Sequence, residues 1–170
     1  MMIVLLRHAD RVKVACLAQL VNVIAPIMTE NGGGVFEQPI FYPFMHMSNF
    51  GRGTALISDI RCDKHDTKEF TDVPDLDGVA VLSEDESELT VFAVNRSFEE
   101  EYILNIDLPD LTDLKPVEHI EMAGYGLKDT NSIVSAPVRP TNAAALPEVD
   151  GRTATARLRP LSWNVIRFKK

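Results

Sequence analysis

Cysteine is scarce in this sequence. Only Cys16 and Cys62 occur among 170 residues, with no CxxC and no cysteine–histidine clusters at zinc-ligand spacing. The chain therefore does not read as a zinc-folded domain, and both thiols are expected to be free and buried, as in a reducing cytoplasm. Positive charge is also short: 17 Lys and Arg stand against 25 Asp and Glu, a net charge of −8. A field of that sign repels phosphate backbones and anionic lipid, so neither a nucleic acid nor a membrane is expected as a partner. Long hydrophobic runs are missing as well. Residues 12–28 come nearest, but Lys13, Gln19, Asn22 and Pro26 interrupt them, and they fall short of the ~20 residues a spanning helix needs. Residues 1–8 fail as a signal peptide, because Arg7 follows the apolar stretch and no small-residue cleavage site closes it.

The usual signatures of chemistry are absent too. His8, His46, His65 and His119 are scattered without HExxH or other metal-ligand spacing. Residues 59–66 carry carboxylates but lack the glycine and terminal glutamate of a calcium loop. Gly32, Gly33 and Gly34 are not followed by the GK[ST] of a phosphate loop, and no GxSxG elbow occurs. No metal and no cofactor is expected. Aromatics make up only 7%, and the single tryptophan, Trp163, lies in an expected strand where a core role fits better than a sugar platform.

What is present is a globular composition, 45% hydrophobic and 25% charged, in a chain long enough for one substantial core. Two regimes divide it. Residues 1 to about 50 are apolar and rich in methionine; from Gly51 onward, short runs alternate with Pro, Asp, Asn and Gly. The later regime predicts strands over residues 54–60, 79–82, 88–95, 102–108, 117–123, 154–158 and 162–168, with the acidic stretch 84–86 turning a hairpin. In residues 102–108, Tyr102, Leu104, Ile106 and Leu108 alternate with less apolar neighbours, the period of a half-buried strand. Some seven short strands at this spacing predict an antiparallel sandwich or barrel. In the first regime, residues 2–9 read as the end of a helix and residues 36–50 as a helix with Pro39 in its first turn. Residues 12–23 are continuously apolar and fit a buried strand or a buried helix equally, since periodicity does not separate the two. A chain that opens inside an apolar element, with no polar lead-in, is expected to be truncated.

One long segment carries more information. Residues 7–29, RHADRVKVACLAQLVNVIAPIMT, closely resemble a segment of the α-L-arabinofuranosidases of glycoside hydrolase family 51. The resemblance continues through Phe41-Tyr42-Pro43-Phe44, Gly51-Arg52-Gly53 and residues 91–96 (VFAVNR), and closes with residues 161–167 (LSWNVIR). It implies a (β/α)8 barrel followed by a β-sandwich of jelly-roll type. On that scheme residues 1–52 are the remnant of the last barrel units: the end of the seventh helix (1 to about 11), the eighth strand (12–23) and the eighth helix (36–50). Residues 53–170 are the C-terminal sandwich. The fold class is thus mainly β, with a short α/β remnant in front.

The same resemblance implies retaining hydrolysis of terminal α-L-arabinofuranosyl groups by two glutamates, on the fourth and seventh barrel strands. Neither strand lies within these residues, so no catalytic residue is assigned and the chain is expected to be inactive alone. The acidic runs 72–77, 84–88 and 99–101 sit in expected turns, where a charge run is usually a solvated face. Gln19 matches a family glutamine that hydrogen-bonds the arabinose ring, and its amide can donate and accept at once. Asn22 is a second candidate for that wall. An arabinose-containing oligosaccharide is then the ligand of the parent enzyme, a cytoplasmic location is implied, and self-association is expected to cover the apolar surface of residues 1–50. The alternative reading is a free-standing carbohydrate-binding module of sandwich type.

Overall fold

Beyond residue 53 the computed structural model, which describes residues 1–170, forms two antiparallel sheets packed face to face, with two helices against the outer side of the larger. The elements follow in the order α1 (Met2–Arg7), β1 (Ile27–Thr29), β2 (Val35–Glu37), α2 (Phe41–Phe50), β3 (Thr54–Leu56), β4 (Lys64–His65) and β5 (Val73–Pro74). Then come β6 (Leu76–Leu82), β7 (Glu88–Asn95), β8 (Tyr102–Asp107), β9 (Lys115–Met122), β10 (Thr141–Asn142), β11 (Glu148–Asp150), β12 (Thr153–Leu158) and β13 (Ser162–Lys169). The large sheet runs β10-β9-β13-β7-β6-β3 and the small one β11-β12-β8, while β1–β2 and β4–β5 are separate hairpins.

Two-residue alternation sorts the core. On β7, Leu89, Val91 and Ala93, with Ile166 and Phe168 of the neighbouring β13, face the small sheet, where they meet Ala154, Ala156 and Leu158 of β12. The intervening Phe92, together with Val79, Val81 and Val165, faces the helices and packs on Ile3 of α1 and Met47 of α2. Both faces of the large sheet are therefore covered, and Phe92, Val165 and Phe168 have no exposed surface. Residues 1–52 share this second core with the sandwich. The 84–86 stretch closes the β6–β7 hairpin as expected, in the register Leu82 opposite Leu89 through Leu76 opposite Asn95. Asp85 organises the turn by accepting from the Ser83 and Ser87 hydroxyls at 2.7 and 2.8 Å.

Glycine is required where α2 hands over to β3. Gly53 has φ +129°, and a Cβ there would lie 2.0 Å from the Leu82 carbonyl oxygen, so the chain comes this close to β6 only without a side chain. In α2, Pro43 sits in the first turn, where its missing N–H is one the helix leaves unbonded anyway.

Four expectations need correction. Residues 12–23 form no strand; their backbone is irregular, and Val14, Leu20 and Val23 are 80%, 83% and 78% exposed. A strand needs neighbours to take up its N–H and C=O groups, and no strand of this chain pairs with them in a sheet. Cys16 is exposed for the same reason, while Cys62 is half-buried and accepts from the Leu76 N–H. The second helix begins at Phe41, not at residue 36, because residues 35–37 pair with 27–29 around the glycine turn. The strand expected over 54–60 stops at Leu56, after which the chain leaves β6.

Candidate functional site

Gln19 and Asn22 lie in one loop, residues 19–29, that leads into β1. The loop is held by short-range bonds: the Asn22 N–H donates to the Ile27 carbonyl and the Ala25 N–H to the Asn22 carbonyl, both at 2.8 Å. Gln38 fastens it from outside, its backbone N–H reaching the Pro26 carbonyl at 2.7 Å and its side chain the Ala25 carbonyl at 2.8 Å. Gln19, Asn22 and Val23 all have φ between 56° and 64°. For a β-branched residue such as Val23 that region is strained.

The two candidate side chains do different things. Asn22 is committed to the loop: its Oδ1 accepts the Thr29 N–H at 2.7 Å and its Nδ2 donates to the Thr29 hydroxyl at 2.8 Å. Gln19 is exposed, and its Oε1 lies 3.5 Å from the Ile24 N–H, at the outer limit of a bond. Its amide N–H groups are free to donate outward.

Several carboxylates are engaged in structural pairs. Asp85 is held down to about 2 by hydrogen bonds from Ser83 and Ser87, the state of a turn cap and not of a proton donor. Asp75 is lowered by the Tyr102 hydroxyl, which donates to it at 2.6 Å, and by His65. Tyr102 is pushed up in turn by the same bond. Asp77 joins Arg7 of α1 and Arg96, and Glu101 meets Arg157 at 3.0 Å. Glu88 and Glu118 grip Arg167, whose guanidinium stacks on Phe50 at 4.2 Å. These acids brace strands and loops against one another. Sequence reasoning took them for solvated charge; only the fold shows which partners they bind.

Trp163 likewise has a structural task. Its indole N–H donates to His46 Nδ1 at 3.2 Å, and its ring stacks on Phe92 with centroids 5.9 Å apart. Burial lowers the His46 pKa, which suits an acceptor that must stay neutral. Asn95 was not singled out from the sequence. Its buried amide donates to the carbonyls of Glu100 and Leu158 and so ties the loop after β7 to the end of β12.

Two antiparallel sheets packed face to face, with helices on one outer face, define a β-sandwich domain. The family model described as alpha-L-arabinofuranosidase C-terminal domain matches residues 1–162. The chain belongs to that family. It is 47% identical over 171 residues to the intracellular exo-α-(1→5)-L-arabinofuranosidase of Acetivibrio thermocellus and 48% identical to the corresponding enzyme 1 of Bacillus subtilis, in each case over 100% of this chain and 34% of the relative. It thus spans about a third of the length of the curated relatives it matches. Among solved structures, the family 51 α-L-arabinofuranosidase of Bifidobacterium longum superposes with a TM-score of 0.89 at 34% identity, covering 98% of this chain and 32% of that one. The family 51 arabinofuranosidase of Xanthomonas axonopodis pv. citri, at 22% identity and a TM-score of 0.86, shows the same fold.

Proposed function

We propose that this chain serves as the C-terminal sandwich of a retaining α-L-arabinofuranosidase that removes terminal α-L-arabinofuranosyl groups, and that it is catalytically silent by itself. The observation that carries this reading is the end-to-end match to one third of enzymes named for that activity. Retention needs two carboxyl groups about 5 Å apart across the scissile bond. On the family scheme both belong to barrel strands outside these residues. The role of the sandwich is then to hold the last barrel segments through the core that Ile3 and Met47 share with Phe92. A cytoplasmic location follows the relatives, which are named intracellular; no helix here is long and apolar enough to cross a membrane. The boundary between barrel remnant and sandwich falls at residues 52–53, at the Gly53 handover.

Gln19 contributes to the arabinose wall when the barrel surrounds it, with its outward amide donating to a ring hydroxyl; Asn22 shapes that loop through Thr29. A second element of the proposal concerns the chain without a barrel around it, where self-association covers the exposed apolar side chains of residues 12–24.

Purified chain incubated with an aryl α-L-arabinofuranoside is expected to release no phenol, and calorimetric titration with arabino-oligosaccharides is expected to give no saturable heat. Enzymatic turnover by the chain alone would refute the reading. Joined to the barrel of a relative, the chain should support hydrolysis, and Gln19→Ala should lower kcat/KM by roughly tenfold, the worth of one hydrogen bond to a sugar hydroxyl.

A further inference from the structure

The long connection from β9 to β10, residues 123–140, reaches out of the sandwich to the β1–β2 hairpin. Two of its side chains make the contact. Asn131, only 6% exposed, donates from Nδ2 to the Glu37 carbonyl at 2.9 Å and to the Val138 carbonyl at 2.8 Å. Its Oδ1 accepts the Val138 N–H at 2.9 Å, so both amide hydrogens and the oxygen are engaged. Ile133 rests on Gly34 in the hairpin turn, its Cδ1 standing where a side chain there would begin. The connection is itself anchored. Val138 is buried against Tyr42 of α2 and Met122 of β9, and the Ser132 N–H closes a turn on the Ser135 carbonyl at 2.6 Å.

Glu37 ends β2, and the next residue, Gln38, is the one that fastens the 19–29 loop through the Pro26 and Ala25 carbonyls. Ala25, with no exposed surface, donates its N–H to the Asn22 carbonyl, and Gln19 Oε1 lies at the Ile24 N–H. A continuous line of hydrogen bonds and single peptide steps thus runs from the sandwich to both candidate sugar-wall residues. Asn131 is its buried origin. Its two bonds with Val138 close a local turn; the bond to Glu37, 94 residues away in sequence, couples that turn to the loop. Hydrogen bonds weaken steeply with distance and angle, so a small shift of the loop is enough to spoil one to a sugar hydroxyl.

We infer that Asn131 is a positioning residue: through Glu37 and Gln38 it sets where the 19–29 loop presents the Gln19 amide. The inference rests on the proposed place of Gln19 in the arabinose wall, and it gives the sandwich a part in substrate binding as well as in support of the barrel.

In the full chain, amide exchange followed by NMR should be roughly tenfold faster at Asn22 and Ala25 in Asn131→Ala than in the wild type, the worth of one buried hydrogen bond. The amides of β7 and β13 should stay protected. Gln38→Ala cuts the line one step later and leaves residues 123–140 intact; it should give the same acceleration, and the double variant no more. In the chain joined to the barrel of a relative, Asn131→Ala should lower kcat/KM roughly fivefold, chiefly through KM, because the Gln19 amide is displaced and not deleted. Once Gln19 is replaced by alanine, Asn131→Ala should cost nothing further. An equal loss in both backgrounds, or unchanged exchange at Asn22 and Ala25, would overturn the positioning role. Undiminished kcat/KM in Gln19→Ala, beside faster exchange in Asn131→Ala, would instead remove the arabinose-wall reading and the inference with it, leaving only the contact between connection and loop.

Discussion

At single side chains, protonation and pairing decide how firmly the sandwich is held. His46 is buried and accepts the Trp163 indole N–H, so its neutral form is the native one. Its folded pKa lies below its unfolded value of about 6.5. The unfolded chain therefore binds the proton more readily, and stability is whole above pH 6.5 and declines as pH falls below it. Thermal melts between pH 7.5 and 5.5 should show this decline in the wild type and a smaller one in His46→Gln. Replacement by alanine leaves the indole N–H without a partner and should cost about 1–3 kcal/mol in a denaturant titration. Asp85 also loses its contribution as pH falls, but at lower pH. Its carboxylate is the native form, held down to about 2, so its contribution is complete above its ordinary value near 3.8 and fades as pH drops toward 2. In the Ser83→Ala/Ser87→Ala double variant, carbon-detected NMR titration should find the Asp85 pKa returned toward 3.8.

Among the elements, the large sheet is the member on which everything else leans. Phe92 of β7 has no exposed surface and lies between α1, α2 and the neighbouring strands. Phe92→Ala should cost about 3–5 kcal/mol, a large part of the 5–15 kcal/mol that typically holds a domain. Urea unfolding monitored by Trp163 fluorescence reads it directly, since that indole stacks on the deleted ring. The β4–β5 hairpin is attached by the Tyr102 hydroxyl on Asp75 and by Arg96, whose backbone N–H and guanidinium donate to the Asp75 and Pro74 carbonyls. Tyr102→Phe should leave the sandwich folded, raise the Asp75 pKa, and make residues 66–72 faster to cleave in limited proteolysis. Cleavage at an unchanged rate would show that the hydroxyl does not hold the hairpin.

For the whole molecule, the strands were the most legible part. Alternation marked β8 and β12 to within a residue, because one face of each meets a core, while β7 and β13, covered on both faces, showed as short apolar runs between turn residues. Short strands such as β10 and β11 were missed, since two or three residues are too few to show a period. The candidate site was legible only through family resemblance. Gln19 and Asn22 carry no local signal, and their loop conformation depends on Gln38 and Thr29 farther along the chain. The exposed stretch 12–24 argues at this scale too. On the proposed reading a barrel supplies its neighbours, so hydrogen-exchange protection of residues 12–18 should rise sharply when the chain is joined to the barrel of a relative.

By itself, the sequence determined the class of fold. Alternating patterns and turn residues are local properties, legible before any partner is known. It also carried, in one long apolar segment, the mark of its family. Only the tertiary structure decided what became of that segment and which partner each buried or charged group found. Residues 12–23 have the composition of a strand, yet a strand exists only where other strands accept its hydrogen bonds, and those neighbours are a property of the assembled molecule.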